Sequence, residues 1–251
     1  MHNDSRGQSE LLGFLLIFVV VVLTIALVSA TGFVGLNNAQ DYQRTTNTEG
    51  AFTVLASNIE DVTQLGAPSR STEISITDAS LSINEERSSL NISHDGEALD
   101  LGNDGQTGSI VYDSGTDTTL TYRSGALIRE DSGSPVLFRE PDFVITDEEV
   151  ILPIVQLSAA GTSEVGGTSD VNVQSIGNGT DLVAESEPVD TNVTLVVETP
   201  HVRVWERYFE QFEADGPVTD INPNYEENTV TVEIETDRLT VTVDRVDTTF
   251  R

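Results

Sequence analysis

Residues 6–36 read RGQSELLGFLLIFVVVVLTIALVSATGFVGL, and within them residues 11–36 hold no charged side chain. At about 1.5 Å of rise per residue that run makes a helix of roughly 39 Å, against the ~20 apolar residues that a bilayer core requires. Val19 to Val22 are β-branched and would disfavour a helix in water. A backbone without water must bond internally, so lipid still enforces the helix. Gly13, Gly32 and Gly35 permit close approach by another helix, or a bend. Three readings compete. A secretory signal peptide has an apolar region of roughly 7–15 residues, shorter than this one, although Ser29-Ala30-Thr31-Gly32 imitates a cleavage site. A plain signal anchor needs nothing beyond the run itself. The third reading depends on what stands in front of it.

Arg6-Gly7 is followed by Gln8-Ser9-Glu10 and then the uninterrupted apolar stretch. This arrangement resembles the class III leader of archaeal type IV prepilins. In the bacterial pattern the acidic residue is at the fifth mature position, whereas Glu10 would be the third. The resemblance implies that a prepilin peptidase cuts between Gly7 and Gln8 on the cytoplasmic side, and that the helix is kept. It also implies other pilin-like subunits as partners, with an assembly ATPase and a membrane platform. Glu10 has two readings: a carboxylate facing headgroups, or a partner for the amine freed at Gln8, belonging to a neighbouring subunit. Arg6 and the free amine are the only firm positive charges in residues 1–7, so the positive-inside rule sets the N-terminus in the cytoplasm and the remainder outside.

That remainder is strongly acidic. The chain has 42 Asp and Glu against 12 basic residues, all of them Arg, for a net charge of −30. Such self-repulsion destabilises a compact fold at ordinary salt. At molar salt the Debye length falls to about 3 Å and the repulsion is screened. A Lys-free, carboxylate-rich chain is therefore expected in a salt-in halophile, the alternative being an acidic low-salt surface protein. Nucleic acid is excluded as a partner, because phosphate contacts need Lys/Arg patches. Without cysteine the outer domain must hold by packing and strand pairing, with neither disulfides nor thiolate chemistry.

Beyond the apolar run, Phe52, Leu55, Ile59 and Val62 recur at helical spacing, Leu65 extends the face, and Gly66 and Pro68 end it. One helix is expected from about Leu11 to Leu65, apolar all round in its first half and amphipathic in its second, so the second half needs one partner surface. Strands follow: residues 73–77, 81–83 and 90–92 with period-two alternation, then 110–112, 120–122, 126–129, 136–138, 143–145 and 150–157. Residues 113–117 read as a hairpin turn. Residues 122–130 are similar to the strand–turn–strand of pilin-like heads. Pro141 and Pro153 mark edges or breaks. Residues 158–170 read as a Gly/Ser/Thr-rich loop. Strands at 171–173 and 192–198 lead to an amphipathic helix carrying Val202, Val204, Trp205, Tyr208, Phe209 and Phe212. Two clean strands, 229–235 and 239–243, joined through residues 236–238, close the chain.

The expected fold class is α+β: a long N-terminal helix, half transmembrane and half amphipathic, packed on a mainly antiparallel β-rich head. The divisions are residues 1–7 (cytoplasmic leader), 8–36 (transmembrane helix), 37–66 (amphipathic extension) and 67–251 (extracytoplasmic head). With about 215 residues beyond the spanning helix, the resemblance favours a minor pilin or pseudopilin over a bulk pilin. The alternative is a monomeric single-pass surface protein whose outer domain binds a ligand.

Signals for catalysis are weak. His2, His94 and His201 are far apart in sequence, and His201 reads as a capping or surface residue at a helix start. No Gly-x-Ser-x-Gly elbow, Walker loop or dinucleotide loop occurs. Asp100 to Gly105 imitates a calcium loop but has Gly102 at the third ligand position and Val111 at the twelfth. No enzyme activity, cofactor or metal is expected. Asn91, Asn178 and Asn192 head three outer sequons and are candidate N-glycosylation sites, with Asn178 in a Gly-flanked loop.

Overall fold

A computed structural model of the chain describes residues 4–85, 88–186, 191–214 and 216–251; the side chains of residues 4–11, 30–39 and 41 lie outside that description. The architecture is α+β. An N-terminal helix, α1, spans Asp4–Thr63. The chain divides into two compact units, Met1–Asn47 and Thr48–Arg251. Fourteen strands lie in the second unit: β1 Ser69–Asn84, β2 Ser89–His94, β3 Glu97–Ala98, β4 Ser109–Asp113, β5 Thr118–Arg123, β6 Ala126–Asp131, β7 Ser134–Arg139, β8 Val144–Ile145, β9 Val150–Ala159, β10 Glu164–Glu185, β11 Thr191–Glu198, β12 Val218–Asn224, β13 Thr229–Thr236 and β14 Leu239–Phe250. A second helix, α2, spans Val202–Glu210.

The strands form two sheets, of nine (β7-β6-β5-β4-β1-β10-β14-β9-β8) and five (β12-β13-β11-β2-β3). Pairing is antiparallel except between β9 and β14. The nine-stranded sheet is covered on both faces. Along β9, Val150, Leu152 and Ile154 join one apolar cluster while Val155 and Leu157 join the other. This two-sided burial is why residues 150–157 read as a continuous apolar run rather than an alternating one. One cluster packs Phe52, Leu55, Ile59 and Val62 of α1 against Ile74, Leu81, Ile110 and Leu120 of the sheet. The other joins the opposite face to the five-stranded sheet and to Trp205, Tyr208 and Phe209 of α2.

Charge reinforces the α1 contact. Arg70 on β1 pairs with Asp61 at 2.9 Å, Arg139 on β7 with Glu60 at 2.8 Å, and Arg129 on β6 with Glu49. Glu60 and Asp61 sit in the last turn, where the helix dipole disfavours carboxylates, so the arginines offset that term. The helix ends two residues before the expected Leu65. Gly66 takes φ 70°, and the Ala67 N–H donates to the Asp61 carbonyl at 3.0 Å, a left-handed cap that turns Leu65 out to solvent. Between β5 and β6, Ser124 and Gly125 both have positive φ, the two-residue turn that matches strand twist.

Three further expectations need correction. Residues 164–170 are not loop but the start of β10, paired with β1 from Ser75 to Ser82. Their side chains are almost all exposed, so backbone pairing, helped by hydrogen bonds from Ser75 Oγ to Asp170 and from the Asp78 N–H to Thr168 Oγ1, holds them and no apolar period is visible. Asn178 lies in that same strand, at an irregularity between Gly177 and Thr180, rather than in a loop. Residues 236–238 do join β13 to β14, as read from the sequence. β13 and β14 belong to different sheets and face each other across the core, with Thr236 Oγ1 donating to the Thr146 and Asp147 carbonyls at 3.1 Å to fix the crossing. β12, unread in the sequence, is an edge strand carrying Pro223. Pro153 stands inside β9 on its open side: the N–H groups of Val155 and Leu157 there go to Ser124 Oγ and the Thr107 carbonyl.

Candidate functional site

The feature that most demands a function is the first half of α1. Between Leu12 and Val28, fourteen large apolar side chains are exposed, among them Phe14 at 72% and Leu16 at 67%. Leu12–Ser29 is long and apolar enough to cross a membrane, with a mean hydropathy of 3.0. Removing each such side chain from water is worth ~1.5–3 kcal/mol, so the segment forgoes on the order of 20–40 kcal/mol if left in water. Its one hydroxyl in the middle is already satisfied. Thr24 Oγ1 donates to the Val20 carbonyl at 2.8 Å, the internal bond that a group in hydrocarbon needs. The segment is suited to act as a membrane anchor or as a signal sequence. Arg6, Gly7, Gln8 and Glu10 have helical backbone within α1, but their side chains lie outside the described residues.

The sequon asparagines Asn91, Asn178 and Asn192 are all exposed and all on strands, Asn91 on β2, Asn178 on β10 and Asn192 on β11. Asn178 Nδ2 donates to Asp247 Oδ2 at 3.1 Å, and Asn91 Nδ2 to Ser89 Oγ at 3.4 Å. Asp100 Oδ1 accepts from the Gly102 N–H at 2.9 Å and so closes the turn. Among the described residues no group of three or more His, Asp or Glu is placed to hold a metal.

A buried polar cluster escaped the sequence reading. Arg123, at the end of β5, is 2% exposed, and its Nε and Nη1 have no hydrogen-bond partner. Burial drives the guanidinium pKa down to about 10, opposed by the charge of Glu198. His201 occupies the N-cap position of α2 but neither caps it nor lies at the surface. It is buried, with Nε2 3.1 Å from Glu130 Oε2 on β6. Burial, then the charge of Arg123, lowers its pKa, while the hydrogen bond and charge of Glu130 raise it. Nothing local in the sequence signals this pairing, since Glu130 and His201 are 71 residues apart. The cluster fixes the N-terminal end of α2 against β5 and β6. Along α2, Trp205, Tyr208 and Phe209 pack on one another as edge-to-face and stacked rings with centroids 5.0–6.0 Å apart, and all three enter the core between the sheets.

The sequence profile described as a family of unknown function, DUF7289, matches residues 6–249, and so takes in the apolar helix together with both sheets. No curated protein and no solved structure matches the chain.

Proposed function

We propose that this chain, which belongs to the DUF7289 family, is a pilin-like structural subunit, a minor pilin or pseudopilin of an archaeal type IV pilus-like surface filament. The supporting observation is the division of labour within α1. Residues 52–62 are spent on the head's own core, whereas residues 12–28 present apolar side chains that the chain itself does not cover. Before assembly, lipid would cover them, with the N-terminus cytoplasmic and the head outside. During assembly the same surface would exchange lipid for helices of neighbouring subunits, guided by Glu10 and the amine of Gln8. A prepilin peptidase, an assembly ATPase and a membrane platform are the partners this role requires, and glycans on Asn91, Asn178 or Asn192 would face outward.

The test is Gly7→Val. Maturation should stop, leaving the full-length precursor in the membrane and none in sheared filaments. Normal maturation of the variant would sink the cleavage site. A wild-type protein that still begins at Met1 or His2 would favour the plain single-pass anchor instead. We also place the head in a high-salt setting, on the ground of its net charge of −30. Circular dichroism of the detergent-solubilised protein should show the β signal lost as salt falls well below molar; a signal unchanged in dilute buffer contradicts that setting.

A further inference from the structure

Beside α2 lies a cleft of about 660 Å³ whose walls include Ser134, His201, Arg203, Arg207, Tyr225 and Asn228. The firm charges among its lining side chains are those of Arg203 and Arg207, while two carboxylates stand behind its walls, Glu206 on Tyr225 and Glu130 on His201. Among the described residues, Arg70, Arg129, Arg139, Arg238 and Arg245 each pair with a carboxylate. Arg203 and Arg207, one turn apart on α2, have no ion pair among those residues, although the chain has 42 acidic side chains to offer. Like charges so spaced repel, so the arrangement is one that an anion would relieve.

The arginines are also held in place. Arg207 Nε donates to the Arg203 carbonyl at 3.1 Å and its Nη2 to the Pro135 carbonyl at 3.2 Å, neutral partners that orient the guanidinium without cancelling its charge. The Arg203 guanidinium lies 5.6 Å from the centroid of the Tyr225 ring. That ring is 51% exposed, and its hydroxyl is tied to Glu206, so it stands as a fixed apolar plate. His201 in the cleft wall is buried, with Nδ1 lacking a partner.

We propose that this cleft binds a carboxylate-bearing sugar of the uronic-acid class. Guanidinium forks match the planar carboxylate, and Arg203 and Arg207 supply two. A bare anion would leave most of the volume unfilled, whereas ~300–1,000 Å³ is the size range of small-molecule pockets. Tyr225 offers a pyranose ring the face that Arg203 does not cover, and the Asn228 amide and Ser134 hydroxyl can meet its hydroxyl groups. The inference requires only the fold of the second unit and does not rest on the filament reading.

Isothermal titration of the full-length protein in detergent at molar salt tests it, with D-glucuronate, D-glucose and acetate as probes. Glucuronate should bind saturably, and glucose and acetate at least tenfold more weakly. Arg207→Gln and, at an exposed position that should leave folding intact, Tyr225→Leu should each weaken glucuronate at least tenfold. Three outcomes overturn the proposal: no saturable glucuronate binding, acetate binding as tightly as glucuronate, or Tyr225→Leu binding like the parent.

Discussion

Residues 12–29 and residues 48–63 belong to one helix, yet they answer to different solvents. In the first stretch Leu16 is 67% exposed; in the second Phe52 and Leu55 are fully buried. The second meets its apolar demand within the chain, against β1, β4 and β5, and ties its acidic flank to three arginines. The first has no titratable side chain between Leu12 and Ser29 and no internal partner surface. Helix propensity alone would not distinguish them. What separates them is whether the apolar residues form one stripe, which a sheet can cover, or the whole circumference, which requires lipid or other helices.

The largest test of this contrast is Phe52→Ala, which opens a cavity in the α1–sheet core. It should destabilise the second unit by about 3–5 kcal/mol in chaotrope unfolding of the detergent-solubilised chain. A loss below ~1 kcal/mol would mean that α1 is not part of that core.

A pH series is next in size, because only the head contains shifted titrating groups among the described residues. The folded pKa of His201 lies below its ordinary value of 6.5, so the unfolded chain takes up that proton first as pH falls. Its contribution is complete above about 6.5 and declines from there down to the folded pKa, by at most ~1.4 kcal/mol per pH unit. His201→Gln should flatten the slope in that window; an unchanged slope would remove His201 from the account. Asp244 works in the opposite sense at lower pH. Burial raises its carboxyl, against a hydrogen bond from Thr180, so the folded state gains stability as pH falls through that raised value.

The smallest effect is expected from Leu16→Ala. Head stability should change by less than ~0.5 kcal/mol, because the side chain touches none of the head's core. A loss comparable to that of Phe52→Ala would erase the distinction between the halves.

Much of this contrast was legible before any coordinates. The spacing of Phe52, Leu55, Ile59 and Val62 carried the buried stripe, and the charge-free run carried the rest. Legibility failed where side-chain burial and strand pairing part company. Residues 164–170 pair with β1 through their backbones while their side chains stay in solvent, so alternation had nothing to report. Strands 229–235 and 239–243 both alternate cleanly, but alternation is equally consistent with pairing in one sheet and with facing across two. His201 reads as a cap by position, and only the fold brings Glu130 to it. The Arg203–Arg207 cleft was hidden for the same reason, since Ser134 and Tyr225 join it from distant strands and turns.

The retained apolar helix is the claim on which the functional account stands, and the N-terminus of the mature protein tests it most directly. Intact mass and N-terminal sequencing of protein extracted from membranes should give a chain beginning at Gln8, with residues 12–29 still attached to the head. A mature chain beginning beyond Ala30 would contradict the account, leaving a secreted β-rich domain with no helix through which to assemble.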